Sequence, residues 1–205
     1  RDVERSRGLG DVYKRQERSG VYQAVKRLFD ILASLAALAV LSPLFLVIAI
    51  LILSEDGRPV FYKHTRVGKG GKTFQMYKFR TMYQDRRIVL TPEQQVELQQ
   101  EFKLENDPRV TRIGSKLRMS SLDELPQLLN ILKGDMSFVG PRPDVPGYAD
   151  KLQGDDRRIL FLKPGITGPA SLKYRNEEEL LTQQENPQKY NDEVLFPDKV
   201  RINIE

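Results

Sequence analysis

The chain has no cysteine and a single histidine, His64, in 205 residues. Without thiols there is no disulfide framework and no thiolate metal site, and a reducing, cytoplasm-facing location fits. One imidazole argues against a histidine metal cluster and against a Ser-His-Asp hydrolase. An internal repeat is missing. So is a phosphate-binding loop of the Walker type, because Gly68 to Lys72 (GKGGK) has neither its spacing nor its final Ser or Thr, and reads as a hairpin turn. Charge of one sign is only slightly in excess: 33 Lys and Arg against 28 Asp and Glu leave +5. That suits an anionic partner such as acidic lipid or a phosphorylated substrate. Nucleic acid is set aside as a partner, since the basic residues form no recognisable binding motif. The length allows one modest domain plus a membrane element.

What is present begins with a charged stretch, residues 1–20, that buries little and resembles a non-native or disordered tail. Residues 31–53 then run for 23 positions without a charge, and about 20 suffice to cross a bilayer core. Three details argue against a plain crossing. Basic residues flank both ends (Lys26 and Arg27; Arg58, Lys63 and Arg66), so both suit the same side of the membrane. Ser42-Pro43 stands mid-run, where proline removes a backbone donor and kinks or breaks a helix. Asp30 marks the edge, where a charge can stay at the interface. A re-entrant helix broken at Ser42-Pro43, with Ser42 satisfying freed backbone groups, is set beside the alternative of one proline-kinked span.

Residues 59–66 and 73–81 are rich in aromatic and β-branched types and predict a β-hairpin around the glycine-rich turn. Thr91-Pro92-Glu93 opens a stretch that favours helix up to Asn106-Asp107-Pro108. Leucines and isoleucines from Ile113 to Leu132 recur at helical spacing, in two pieces broken around Ser120-Ser121, with Gly134 as a stop. Val139 to Pro143 and Lys163 to Pro169 read as loops. The expected architecture is an α-dominated α+β fold: a membrane segment over 21–56 and a catalytic domain over 57–205 with amphipathic interfacial helices and a small hairpin. The chain stops within an apparently continuing element, which reads as C-terminal truncation.

Asp123-Glu124 precedes an apolar helical run and supports two readings. One is structural: Ser121 with Glu124 spells a capping box, or Asp123 is itself the cap before Pro126. The other is chemical. An ionised aspartate attacks a phosphoanhydride without a base, which suits a chain with one histidine. It then needs the phosphate charge neutralised by a metal held on a second carboxylate, for which Glu124 is the candidate, and by Arg or Lys. Lys78 and Arg80 alternate on one strand, Arg118 precedes the dyad by five residues, Arg142 is pinned between two prolines, and Arg175 follows the PGITG loop. Each is otherwise a solvated cation or one touching acidic headgroups. His64 reads as an interfacial side chain rather than a catalyst.

Three segments, FQMYKFRTM (74–82), DPRVTRIGSKLRMSSLDELPQLLNILKGDMSFVGPRP (107–143) and KPGITGPASLKYRNE (163–177), resemble the bacterial sugar transferases, the monotopic phosphoglycosyl transferases. The resemblance covers Tyr22 to Glu205 and implies a helix-break-helix at Ser42-Pro43 inserted in one leaflet at the cytoplasmic face of the bacterial inner membrane. It implies that Asp123 attacks the β-phosphate of a UDP-sugar, that UMP leaves, and that polyprenyl phosphate takes the phospho-sugar from the aspartyl intermediate. It makes Glu124 a ligand of Mg²⁺, and Lys78, Arg118, Arg142 and Arg175 phosphate-binding residues. Membrane lipids are further partners, and self-association is left open. Pro169-Ala170-Ser171 and Lys173-Tyr174-Arg175 stand where many members have Trp-Ala-Gln and Asn-Gly-Arg. The competing class is a non-catalytic membrane adaptor.

Overall fold

A 37-residue helix, α1 (Gly20–Asp56), is the longest element. It is long and apolar enough to cross a membrane. The computed structural model describes residues 20–84, 88–95 and 107–204. The expected tail therefore lies outside the described residues, apart from Gly20. Of the two forms read for the apolar run, a helix broken at Ser42-Pro43 or one proline-kinked helix, the helix continues through Ser42-Pro43. The physical reason is local. Pro43 has no N–H to offer the carbonyl of Ala39, four residues back, and the Ser42 hydroxyl donates to that carbonyl at 2.8 Å. The hydroxyl thus replaces the missing backbone donor, as the sequence suggested it would.

One stripe of α1 faces the rest of the chain. Asp30, Ser34, Ile48 and Ile52 are buried, and Ala37, Leu38, Leu41, Leu44 and Phe45 join them in two adjoining clusters. Leu28, Leu32, Leu35, Val40, Val47 and Ile50 remain exposed on the rest of its surface. Both ends are tied to the same domain. Near the start, the Arg27 guanidinium donates to the carbonyls of Ile131 and Leu132, and Asp30 accepts from the Ser137 hydroxyl and the Phe138 amide. At the other end Asp56 pairs with Arg80, and Glu55 accepts from the Arg112 and Ile113 amides at 2.7 and 3.0 Å.

The expected hairpin is present: β1 (Phe61–Val67) pairs antiparallel with β2 (Thr73–Phe79), with Tyr62 opposite Lys78, His64 opposite Met76 and Arg66 opposite Phe74. Gly70 and Gly71 take left-handed φ of 73° and 76° in the turn, which explains the glycines there. Thr91 and Gln94 form a reciprocal capping box at residues 92–95. The rest of the helix expected from Thr91 to Asn106 lies outside the described residues.

α2 (Arg112–Met119) and α3 (Gln127–Lys133) are the two predicted helical pieces. Gly114 lets α2 cross directly over Thr81: a Cβ there would meet the Thr81 carbonyl oxygen at 2.1 Å. Asn130, fully buried on α3, accepts from the Tyr77 amide at 2.9 Å and donates to the Gln75 carbonyl at 2.7 Å. Its side chain thereby pairs with the free edge of β2 as a neighbouring strand would.

A second, parallel pair, β3 (Ser137–Val139) and β4 (Gly165–Thr167), runs into one segment read from the sequence as a loop and lies within the other. Glycine makes it possible. Added Cβ atoms on Gly140 and Gly165 would each lie 2.2 Å from backbone atoms of the other segment. Four short helices follow: α4 (Pro169–Lys173), α5 (Glu177–Thr182), α6 (Pro187–Tyr190) and α7 (Phe196–Ile204). Val200 of α7 closes a third core cluster with Val67, Ala149, Ile159 and Leu160. The described fold is mostly helical, with one small antiparallel hairpin.

Candidate active site

α2 ends at Ser120, and Ser121 then adopts φ 56°, the one positive value at a non-glycine residue among the described residues. Such a conformation is disfavoured for an L-residue and recurs where function fixes the backbone. It reverses the chain into a single turn, Leu122–Glu124. Leu122 and Leu125 pack with Ile48, Ile52, Phe79 and Leu117. Asp123 and Glu124 are thereby placed on a shelf between α2 and α3.

The shelf bears on the structural reading of the dyad. Ser121 makes no side-chain capping bond, and the residue capping α3 is Pro126, also without one. The expected capping box and the expected Asp123 cap are both absent, because Pro126 starts α3 three residues beyond Asp123. The carboxylates are free of that structural duty.

Asp123 is 8 % exposed. Burial raises its pKa; Lys78 and Arg118 oppose the rise and the Glu124 charge adds to it. Glu124 goes the other way. Burial would raise it, but Arg142 and Lys78, bonded to it, together outweigh burial and hold it below the usual range. Lys78 Nζ lies 2.8 Å from Glu124 Oε1 and 3.7 Å from Asp123 Oδ2. Arg142 Nη2 lies 2.9 Å from the same Glu124 oxygen. Two neighbouring carboxylates with opposed shifts suit two different roles.

Lys78 and Arg142 therefore converge on the dyad. Arg118 is held beside it, its Nε donating to Thr81 Oγ1 at 2.9 Å. Arg142 hangs from the crossing of the two glycine-containing segments, where Gly165 N donates to Pro141 O at 2.8 Å and Gly140 N to Thr167 O at 2.9 Å. Arg80 is committed elsewhere. Expected to share the face of Lys78, it lies past the end of β2, 6 % exposed, bound to the Asp56 carboxylate and to the carbonyls of Asp56 and Gly57. Arg175 is exposed, and no hydrogen bond or ion pair joins it to either acid.

Two further residues belong here. Arg66, which the sequence marked only as a flanking charge, lies close enough to Arg142 and Glu124 to feel both charges. Its register position, on the same face of the hairpin as Lys78, is the signal that could have found it. Gln127, 3 % exposed just after the dyad, leaves its amide nitrogen without a partner.

Among the described residues no three acidic or imidazole side chains gather as a metal cage. Mg²⁺ ordinarily takes one or two protein carboxylates and completes its shell with substrate phosphates and water. Glu124 has Oε1 occupied by two cations while Oε2 takes no hydrogen bond from the described residues, so this acid beside Asp123 fits an ion shared with a phosphorylated ligand.

Residues 21–202 match the profile of the family described as bacterial sugar transferase. Among curated relatives, the exopolysaccharide production protein ExoY of Rhizobium meliloti is 47 % identical over 161 residues, covering 74 % of this chain and 70 % of that protein. The undecaprenyl-phosphate galactose phosphotransferase of Salmonella typhimurium is 44 % identical over 159 residues, 75 % of this chain. The UDP-N-acetylgalactosamine-undecaprenyl-phosphate N-acetylgalactosaminephosphotransferase of Aeromonas hydrophila is 42 % identical over 160 residues. The aligned part spans about a third of the Salmonella and Aeromonas proteins, 33 % and 35 %.

Proposed function

The chain belongs to the bacterial sugar transferase family, and from that premise we propose that it transfers a sugar-1-phosphate from a UDP-sugar to polyprenyl phosphate. The observation that carries the reading is the buried Asp123, freed from capping, beside a Glu124 held ionised by Lys78 and Arg142. The relatives' names, which specify undecaprenyl phosphate and UDP-sugar chemistry, support the same acceptor and donor class. An adaptor would have no use for a carboxylate kept at the expense of burial.

In the proposed first step an Asp123 carboxylate oxygen attacks the β-phosphorus of the donor. The bond from that phosphorus to the oxygen bridging the two phosphates breaks, and UMP leaves with the electron pair. In the second step an oxygen of polyprenyl phosphate attacks the same phosphorus, and the bond to Asp123 breaks to regenerate the carboxylate. Burial favours this chemistry, since a poorly solvated carboxylate is a better nucleophile than a hydrated one. Lys78, Arg118 and Arg142 orient the phosphates and balance their charge. Mg²⁺, held on Glu124, would supply further charge neutralisation on the diphosphate.

The acceptor's lipid tail calls for a membrane-bound site at the cytoplasmic face. In this proposal α1, continuous but bent at Pro43, enters and leaves one leaflet rather than crossing. Support comes from its two tethers: Arg27 and Asp30 at one end and Glu55 and Asp56 at the other all hold the same domain. A crossing helix would hold its ends about 30 Å of hydrocarbon apart.

The test is UMP release by nanodisc-embedded protein given UDP-sugars, Mg²⁺ and undecaprenyl phosphate, together with protein labelling from a donor carrying a radioactive β-phosphate. Release and label that vanish in Asp123→Asn are expected. Absence of release from the folded wild type across the sugars overturns the proposal.

A further inference from the structure

We propose that Arg66 is a further anion-binding residue of this site, taking the donor's diphosphate jointly with Arg142, and that His64 is the residue that positions it. The inference rests on the transferase reading above and extends it to one side chain and its neighbour.

A charged group removed from water needs a compensating charge or full hydrogen bonding. Arg66 has neither in full: Asp144 and Glu124 attract it without an ion pair, and Arg142 repels it. Its buried Nε reaches no partner. Its two terminal nitrogens meet neutral acceptors, the Pro143 carbonyl at 3.5 Å and His64 Nδ1 at 3.2 Å. Among the described residues no carboxylate forms an ion pair with it, whereas Lys78 and Arg142 both share Glu124. Of the charges acting on it the strongest is that of Arg142, a second cation, ahead of the opposing Asp144 and Glu124. A guanidinium bonded to the Pro143 carbonyl beside Arg142, and itself without an ion pair among the described residues, suits an occupant with several negative charges, and a diphosphate is such an occupant. The fork of Arg66 keeps donors to spare, since only two are engaged out of about five.

His64 fixes the direction of that fork. Nδ1 must be unprotonated to accept from Arg66. The charged and titratable groups facing the imidazole are Arg66 on its own strand, Lys78 on β2, and the Tyr62 ring 6.0 Å away. Burial and both cations keep the ring neutral. The Val67 amide donates to the Asp144 carbonyl at 2.9 Å, which stitches this strand to the Arg142 loop.

The experiment measures calorimetric binding of UDP and of uridine to the full chain in nanodiscs, alongside melting temperature without ligand. Arg66→Ala is expected to weaken UDP about 10- to 100-fold, the loss typical of a charge-assisted pair, and to leave uridine binding and melting unchanged. Arg66→Lys, which keeps the charge but not the fork, should remain about tenfold weak, and it decides the matter where Arg66→Ala fails to fold. His64→Gln, whose amide oxygen still accepts, should stay within about threefold of wild type, and His64→Leu should approach Arg66→Ala. Wild-type binding with an undiminished Arg66→Lys, or equal loss of uridine and UDP, overturns the inference alone. A wild type that neither binds UDP nor releases UMP overturns the transferase reading and this inference with it.

Discussion

Replacing Asp144 by asparagine should make the protein more stable at neutral pH, and the gain should vanish in acid. The carboxyl lies under the Arg142 loop beside Val67, Ala149, Ile159 and Leu160. Burial pushes its pKa up to about 6 from an ordinary 3.8, against the attraction of Lys199, Arg66 and Arg142 and with a push from Glu177. Because the folded value is the higher one, the associated stability is fully present below about 3.8. It falls as pH rises, by about 1.4 kcal/mol for each pH unit, and is lost above about 6. The whole interval corresponds to about 3 kcal/mol. Asparagine cannot ionise and escapes the loss. Asp144→Asn should therefore exceed wild type by about 3 kcal/mol at pH 7.5, or about 6–12 °C in melting temperature for a chain of this size. By pH 4 the difference should be below about 1 kcal/mol. Differential scanning fluorimetry in nanodiscs from pH 4 to 7.5 reads both. A variant no more stable than wild type at pH 7.5, or a difference that does not change with pH, refutes the reasoning.

Gly140→Ala places a methyl group 2.2 Å from the Lys163 carbonyl oxygen. It should destabilise by about 3 kcal/mol, the upper end for overpacking, and weaken UDP binding in parallel, because Arg142 follows two residues later. Calorimetry on the folded fraction checks both effects. Arg80→Ala should cost about 3–5 kcal/mol by leaving Asp56 unpaired, while the donor KM stays at the wild-type value. A raised KM in the surviving enzyme would return Arg80 to the phosphate site.

Local chemistry was legible wherever one segment decided it. The aromatic and β-branched content of residues 59–66 and 73–81 around a glycine-rich turn pointed to the hairpin, and the serines at 120 and 121 marked the break between α2 and α3. Asp123 and Glu124 stood out as acids just before an apolar helical run, and the family resemblance paired them as a dyad. Partner choice was not legible. Arg80 has the strand spacing of a ligand-facing cation, but its direction depends on Asp56, 24 residues earlier and brought beside it by α1. The parallel β3–β4 pair was hidden for a similar reason: three-residue strands carry no periodic signal, and glycine there reports a backbone crossing as readily as a turn. Asp30 read as an interfacial charge, whereas it is the acceptor that receives β3. Arg66 was a flanking charge in the sequence and became a neighbour of the dyad through the hairpin register.

The long helix is also part of the site's foundation. Ile48 and Ile52 belong to the same cluster as the two leucines that bracket the dyad, and Glu55 accepts from the first two amides of the helix that leads into it. The platform under Asp123 is completed by residues from the chain's most apolar element. A catalytic domain made without α1 would expose one wall of its interior and release the turn that presents Asp123. Any agent that peels this helix away, a harsh detergent among them, should silence the site before the rest of the fold melts.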